Sequence, residues 1–306
     1  MNGVIVVNKP TQFTSFDVVA VLRRICNERK IGHCGTLDPN ATGVLPVLLG
    51  RAAKAQDILP NHDKSYVAEF QLGKVTDTLD VWGEVLTEEE TSVTKEQLLS
   101  VFPDFTGEID QIPPMYSAVQ VNGKRLYDLA RQGIEVKRKA RKITVYSLEL
   151  LDFDEYSQKG KLKVSCSKGT YIRTLIDDIA KKFCVGGCMT SLVRVGACGF
   201  TLEDAYTLDE LRAMADKGET EKALRSTESL FVSYKEIFVS PNQAKRFANG
   251  GALDANRIRQ KPEVMTDGEI FRLKSQDGIF MGLSIYKAET KEIKVYKQFA
   301  DYSQFN

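Results

Sequence analysis

Apolar residues recur along this chain in two rhythms, every second position and every third or fourth. Val4 to Val7 is a short β-branched run that predicts a buried strand, ended by Asn8-Lys9-Pro10. Thr14 or Ser15 can cap the next helix, whose Val18, Val19, Leu22, Ile25 and Cys26 share one face. Leu45 to Leu49 is apolar and belongs to the core despite Pro46, and Arg51 to Leu59 reads as a helix. Tyr66 to Leu72 alternates as a half-buried strand does. Thr94-Lys95-Glu96-Gln97 has the form of a capping box ahead of Leu98, Leu99 and Phe102. Ile112-Pro113-Pro114 is a firm break. Beyond it, Ile143 to Leu151, Leu162 to Cys166 and Val193 to Phe200 predict strands. Thr170 is placed to cap a helix from Tyr171 to Ile179, and Thr207-Leu208-Asp209-Glu210 opens another that stops near Gly218.

Strands and helices mix here without strict βαβ alternation, which favours an α+β fold with a mixed, largely antiparallel sheet and flanking helices. A boundary falls near residues 233–238, dividing the chain into 1–235 and 236–306. In the second part Ser240-Pro241-Asn242-Gln243 starts a short helix that Asn249-Gly250 stops. Ile270 to Lys274, Ile279 to Tyr286 and Ile293 to Phe299 then read as strands, the first two joined through Asp277-Gly278. One short helix with several strands predicts a small β-barrel.

Composition narrows the class. Charged residues make up 27% and hydrophobic ones 42% of the 306 residues, an ordinary globular balance. The net charge is +1, so no overall polyelectrolyte character announces nucleic acid. The distribution is uneven, however. Val121 to Lys142 holds eight basic residues against two acids, whereas Thr76 to Glu96 holds seven acids against Lys95. That asymmetry places a strong local positive potential on the segment containing Lys124, Arg125 and Arg131. It suits either a solvated surface helix or a clamp on phosphates. Six cysteines without Cys-x-x-Cys spacing and only two histidines argue against a zinc site and for reduced thiols. The N-terminus lacks the features of a signal peptide, and no apolar run approaches the ~20 residues that span a bilayer, so a cytoplasmic protein is expected.

The candidate chemistry centres on Gly32-His33-Cys34-Gly35-Thr36-Leu37-Asp38-Pro39-Asn40-Ala41-Thr42-Gly43. Pro39 biases Asp38 away from helical backbone, and Gly35 and Gly43 permit sharp turns on either side. The product is a carboxylate presented at a stiff bend; the same residues also make ordinary turns. The stretch from Gly35 to Leu45 resembles the catalytic-aspartate signature of the TruB family of tRNA pseudouridine synthases. Three further blocks agree in kind and order: Lys9-Pro10 after a strand, Tyr66 opening a strand, and Cys166-Ser167-Lys168-Gly169-Thr170-Tyr171-Ile172-Arg173 leading into a helix. With the C-terminal part the likeness covers nearly the whole chain.

This resemblance implies the pseudouridine synthase fold with a PUA-like RNA-binding unit at 236–306, and a basic RNA-clamping insertion at about 112–142. It implies an isomerase that acts on the uridine at tRNA position 55 in the T-loop, flips the base, and needs neither metal nor cofactor. Asp38 is the implied nucleophile, on the sugar or on the pyrimidine ring, a task that suits a carboxylate. Arg173 is its implied ion partner; an arginine at a helix N-terminus opposes the macrodipole and therefore calls for an anion. Tyr66 and Tyr171 are implied to line the uracil slot, Leu192 to close it and His33 to contact RNA. Asp80 and the cations Lys124, Arg125 and Arg131 are further RNA-binding candidates, while Lys9 and Pro10 brace the floor. On habit alone these tyrosines, the leucine and the histidine are packing residues. tRNA is the expected partner, with no obligate protein partner. Two other classes fit parts of the chain. An aspartyl-phosphate phosphotransferase could use Asp38 with Asp177-Asp178 for magnesium, although no second carboxylate stands two residues after Asp38. A non-catalytic RNA chaperone could share the fold.

Overall fold

The computed structural model describes residues 1–300; residues 301–306 of the expected second unit lie outside the described residues. Among the described residues, nine strands form one mixed sheet. Seven of them lie in the order Gly3–Lys9, Thr42–Leu49, Gly187–Ala197, Lys64–Leu72, Lys159–Cys166, Arg141–Asp154 and Gly107–Gln111. Every neighbouring pair in that order is antiparallel except Gly187–Ala197 against Thr42–Leu49, which is parallel and sets Arg194 beside Gly43. On its other side Arg194 pairs with Tyr66. One row across the sheet thus reads Gly43, Arg194, Tyr66, Val164.

The continuous apolar runs are explained by burial on both faces. Ile5, Val7, Leu45, Val47 and Leu49 pack against Val18, Val19 and Leu22 of the helix Ser15–Ile25 and against Leu208 and Leu211 of Leu208–Asp216. The alternate residues Val4, Val6, Val44 and Leu48 face Phe231, Leu283 and Phe299. Tyr66, Ala68, Phe70 and Leu72 form the buried face of their alternating strand and share a core with Ile172, Leu175, Ile176 and Ile179 of the helix Ile172–Lys181. That helix sits tight on the sheet: a Cβ on Gly187 would lie 2.7 Å from the Ala180 methyl.

A second, five-stranded sheet comprises Glu236–Val239, Ile270–Ser275, Phe280–Lys287, Glu292–Gln298 and Leu253–Asp254 in that order, with the helix Pro241–Ala248 against it. It is a curled half-barrel sheet, in keeping with the small β-barrel expected. Its seat on the first sheet is aromatic. Phe231, fully buried, stacks on Tyr234 at 6.2 Å and lies 5.4 Å from Phe299 and 6.2 Å from Phe280, measured between ring centres. Among the described residues no helix is long and apolar enough to cross a membrane.

Several local expectations shift. The Arg51–Leu59 segment closes as the 3-10 helix Gly50–Ala55, with Pro60 barring its extension. Thr170 does not cap the next helix: Tyr171 is the cap, Thr170 donates to the Ser167 carbonyl, and Gln111 from the edge strand holds both the amide and the carbonyl of Tyr171. Thr14, Thr94 and Thr207 cap their helices as expected, and each does so through a reciprocal capping box, the form anticipated at Thr94.

Candidate active site

The bend at Asp38 projects from the open end of the sheet, between the short strand Ile31–His33 and the strand Thr42–Leu49. Three groups hold it from beneath. Ser15 donates its hydroxyl to the Leu37 carbonyl at 3.3 Å and accepts from the Leu37 amide at 2.9 Å. Lys9 is fully buried, and its ammonium donates to the carbonyls of Pro10 (2.9 Å), Phe13 (2.6 Å) and Pro39 (3.0 Å). Arg194, also fully buried, donates to the carbonyls of Val44 (2.7 Å), Gly35 (3.1 Å) and Thr36 (3.3 Å). Backbone carbonyls shut away from water must find donors, and of the six bonds these two cations donate, three go to the bend itself, at Gly35, Thr36 and Pro39. Burial pushes the Lys9 ammonium down to about 8, against the pull of Asp38. Gly43 has φ +104°, and a Cβ there would lie 2.2 Å from the Arg194 carbonyl, so only glycine lets the two strands meet.

Above this floor the Asp38 carboxylate is open, 47% exposed, and ion-paired with Arg173 Nη2 at 3.0 Å. Arg173 is buried, and both of its terminal nitrogens have further partners. Nη2 also donates to the Tyr116 carbonyl at 3.1 Å; Nη1 donates to the Thr78 carbonyl at 2.9 Å and to Asp80 at 3.3 Å. The helix-start arginine thus meets two carboxylates, the anions its position calls for. Asp80 is buried against Arg173, and burial raises its pKa. It accepts from the Thr78 hydroxyl at 2.7 Å and the Trp82 amide at 3.2 Å. Asp80 therefore braces the arginine.

Tyr66 and Leu192 share one packed cluster with Leu37 and Ala41 of the Asp38 bend. Burial pushes the Tyr66 phenol up to about 12, with Arg194 pulling the other way, so it is neutral at physiological pH. Tyr171 is half-buried one residue before the helix, its backbone clamped by Gln111. His33 ends its short strand; burial and the Arg194 charge lower its pKa, and its Nδ1 is buried without a partner. Lys124, Arg125 and Arg131 are exposed on the insertion, a two-residue hairpin (Gln120–Val121 with Lys124–Arg125) leading into the helix Leu126–Ala130. The guanidinia of Arg125 and Arg131 lie 5.8 and 5.5 Å from the centre of the Tyr127 ring. These three cations do not touch the Asp38 centre. Among the described residues no group of three or more His, Cys, Asp or Glu is placed to hold a metal ion.

Arg194, Tyr116, Thr78 and Gln111 are site residues that sequence reasoning passed over. Arg194 was visible only as the neighbour of Leu192, and its role depends on a strand register that no local pattern encodes. What the arrangement offers chemically is an accessible carboxylate on a rigid bend, paired with a guanidinium and bordered by a neutral phenol in an apolar wall.

Comparison with known proteins shows the family. Residues 23–172 match the model of the TruB family pseudouridylate synthase N-terminal domain, and residues 173–230 that of the tRNA pseudouridylate synthase B C-terminal domain. The tRNA pseudouridine synthase B of Clostridium perfringens is 45% identical over 298 residues, covering 97% of this chain and 98% of the relative. That of Lactobacillus johnsonii is 40% identical over 301 residues, covering 96% and 99%. Among solved structures, a chain of a Cbf5-Nop10-Gar1 complex superposes with a TM-score of 0.76 at 26% identity, covering 99% of this chain and 86% of that one. The chain belongs to the TruB family of tRNA pseudouridine synthases.

Proposed function

We propose that this enzyme isomerises the uridine at position 55 of the tRNA T-loop to pseudouridine in the cytoplasm, with Asp38 as nucleophile and without metal or cofactor. The observation that carries the reading is the open Asp38 carboxylate held 3.0 Å from the buried Arg173 on a braced bend. The bond from C1′ to N1 breaks, the uracil turns, a bond from C1′ to C5 forms, and the proton of C5 is replaced by one on N1. A flipped base must leave its stack, at an unstacking cost of a few kcal/mol offset by contacts in the pocket. Tyr66 supplies a neutral stacking face, Tyr171 and Leu192 border the same slot, and His33 contacts the displaced RNA. The insertion carrying Lys124, Arg125 and Arg131 closes on phosphates, and the unit from residue 236 contacts the tRNA stem as a PUA-like module. No protein partner is needed for this reaction.

The test is incubation with unmodified tRNA and mapping of pseudouridine at single-nucleotide resolution. Position 55 should be converted, and Asp38→Asn should abolish conversion while tRNA binding persists. Modification by Asp38→Asn, or predominant labelling outside the T-loop, would refute the assignment.

A further inference from the structure

The insertion has a mechanical tie to the catalytic ion pair. Nη2 of Arg173 forms the ion pair with Asp38 Oδ2 at 3.0 Å and donates to the Tyr116 carbonyl at 3.1 Å. Tyr116 opens the insertion, just past Pro113-Pro114. From there the backbone leads directly to the basic element. The Tyr127 amide donates to the Ser117 carbonyl at 3.1 Å and the Leu126 amide to the Val119 carbonyl at 2.8 Å. Tyr127 is the ring that Arg125 and Arg131 flank. Elsewhere the insertion is set off from the body by a cleft of about 1090 Å³, lined by Ile134 and Arg138 on one side and Leu79, Thr174 and Asp177 on the other. Tyr116 and Asp77 border the same cleft, where the neighbouring Asp77 carboxylate raises the pKa of the phenol; Asp77 Oδ1 accepts from the Glu84 amide at 2.8 Å. Asp77 opens the loop that supplies Thr78 and Asp80 to Arg173.

We propose that Tyr116 is a positioning residue: it latches the insertion to the Asp77–Asp80 loop and aims Arg173 at Asp38, so that seating of the insertion on RNA sets the catalytic ion pair. This rests on the tRNA pseudouridine synthase reading above. Of the four acceptors that fix the guanidinium, the insertion supplies only the Tyr116 carbonyl, and it shares a nitrogen with the nucleophile. A displaced insertion therefore frees the half of the fork that orients Asp38. Spatial continuity alone does not demonstrate coupling; double-variant energetics do.

The experiment measures single-turnover pseudouridine formation on unmodified tRNA with enzyme in saturating excess, alongside tRNA affinity by filter binding. Tyr116→Phe removes only the hydroxyl beside Asp77, and Asp77→Asn keeps the acceptor for the Glu84 amide. Each should slow the saturated rate by about tenfold, since sub-ångström misplacement of reacting groups costs rate steeply, with affinity unchanged within about twofold. The double variant should be no slower than the slower single, because both remove one contact. Circular dichroism melting checks that each variant is folded; if one is not, the other single carries the test. A full saturated rate in Tyr116→Phe, multiplicative losses in the double variant, or losses confined to affinity would overturn the coupling. A wild-type chain that makes no pseudouridine would instead overturn the functional reading beneath it.

Discussion

Arg194→Met removes a guanidinium whose three donated bonds end on the Val44, Gly35 and Thr36 carbonyls. Each lost charge-assisted bond with its stranded acceptor costs about 1.5–3 kcal/mol. Relief of the buried charge offsets part of that sum. The net expectation is a loss of about 3–5 kcal/mol, a large share of the roughly 5–15 kcal/mol that holds a typical domain folded. Arg194→Lys keeps the charge but loses the planar fork, and should cost about 1–2 kcal/mol. Equilibrium urea unfolding followed by circular dichroism gives both values. Modification of tRNA should fall further than stability does, because the bend that presents Asp38 hangs on two of the three bonds. A methionine variant within 1 kcal/mol of wild type that modifies tRNA at the normal rate would refute the claim that this arginine shapes the bend.

Arg173→Lys should lower the single-turnover rate by at least about a hundredfold, since one ammonium cannot satisfy two carboxylates and two carbonyls in a plane; near-normal turnover would remove the fork from the mechanism. Arg125→Gln and Arg131→Gln should each weaken tRNA binding and flatten the slope of log affinity against log salt by about one. Unchanged salt slopes would place the phosphates elsewhere. Lys9 titrates near 8 in the fold against an ordinary 10.5. The unfolded chain therefore binds more protons between those values, and stability should rise as pH climbs from about 8 to 10.5. Lys9→Met should lose that rise, and urea midpoints with the same pH slope in both proteins would contradict it.

How much of this was legible in the sequence follows the range of the forces involved. The helix caps at Thr14, Thr94 and Thr207 are local, and they were readable. So was the alternation of Tyr66 to Leu72, because one face is buried. The meeting of Asp38 with Arg173 came from family likeness together with the anomaly of an arginine at a helix start. The row Gly43, Arg194, Tyr66 was not readable, since it depends on a parallel register between strands far apart in the chain. Asp80 was an RNA-binding candidate by resemblance alone, and its contact with Arg173 is visible only in the tertiary arrangement. Tyr171 takes the capping position expected of Thr170, and its backbone is held by Gln111, 60 positions away.

The aromatic seat around Phe231 bears on how the terminal half-barrel can be studied. A chain shortened to end at Lys235 would keep Phe231 and Tyr234 but forfeit Phe280 and Phe299. It would also uncover the Val4, Val6 and Leu48 face of the first sheet. A bare greasy patch of that kind drives self-association. Weak tRNA binding by such a fragment would then report clumping as much as missing RNA contacts. Charge substitutions on the outer surface of the half-barrel, which leave the seam intact, separate those two causes.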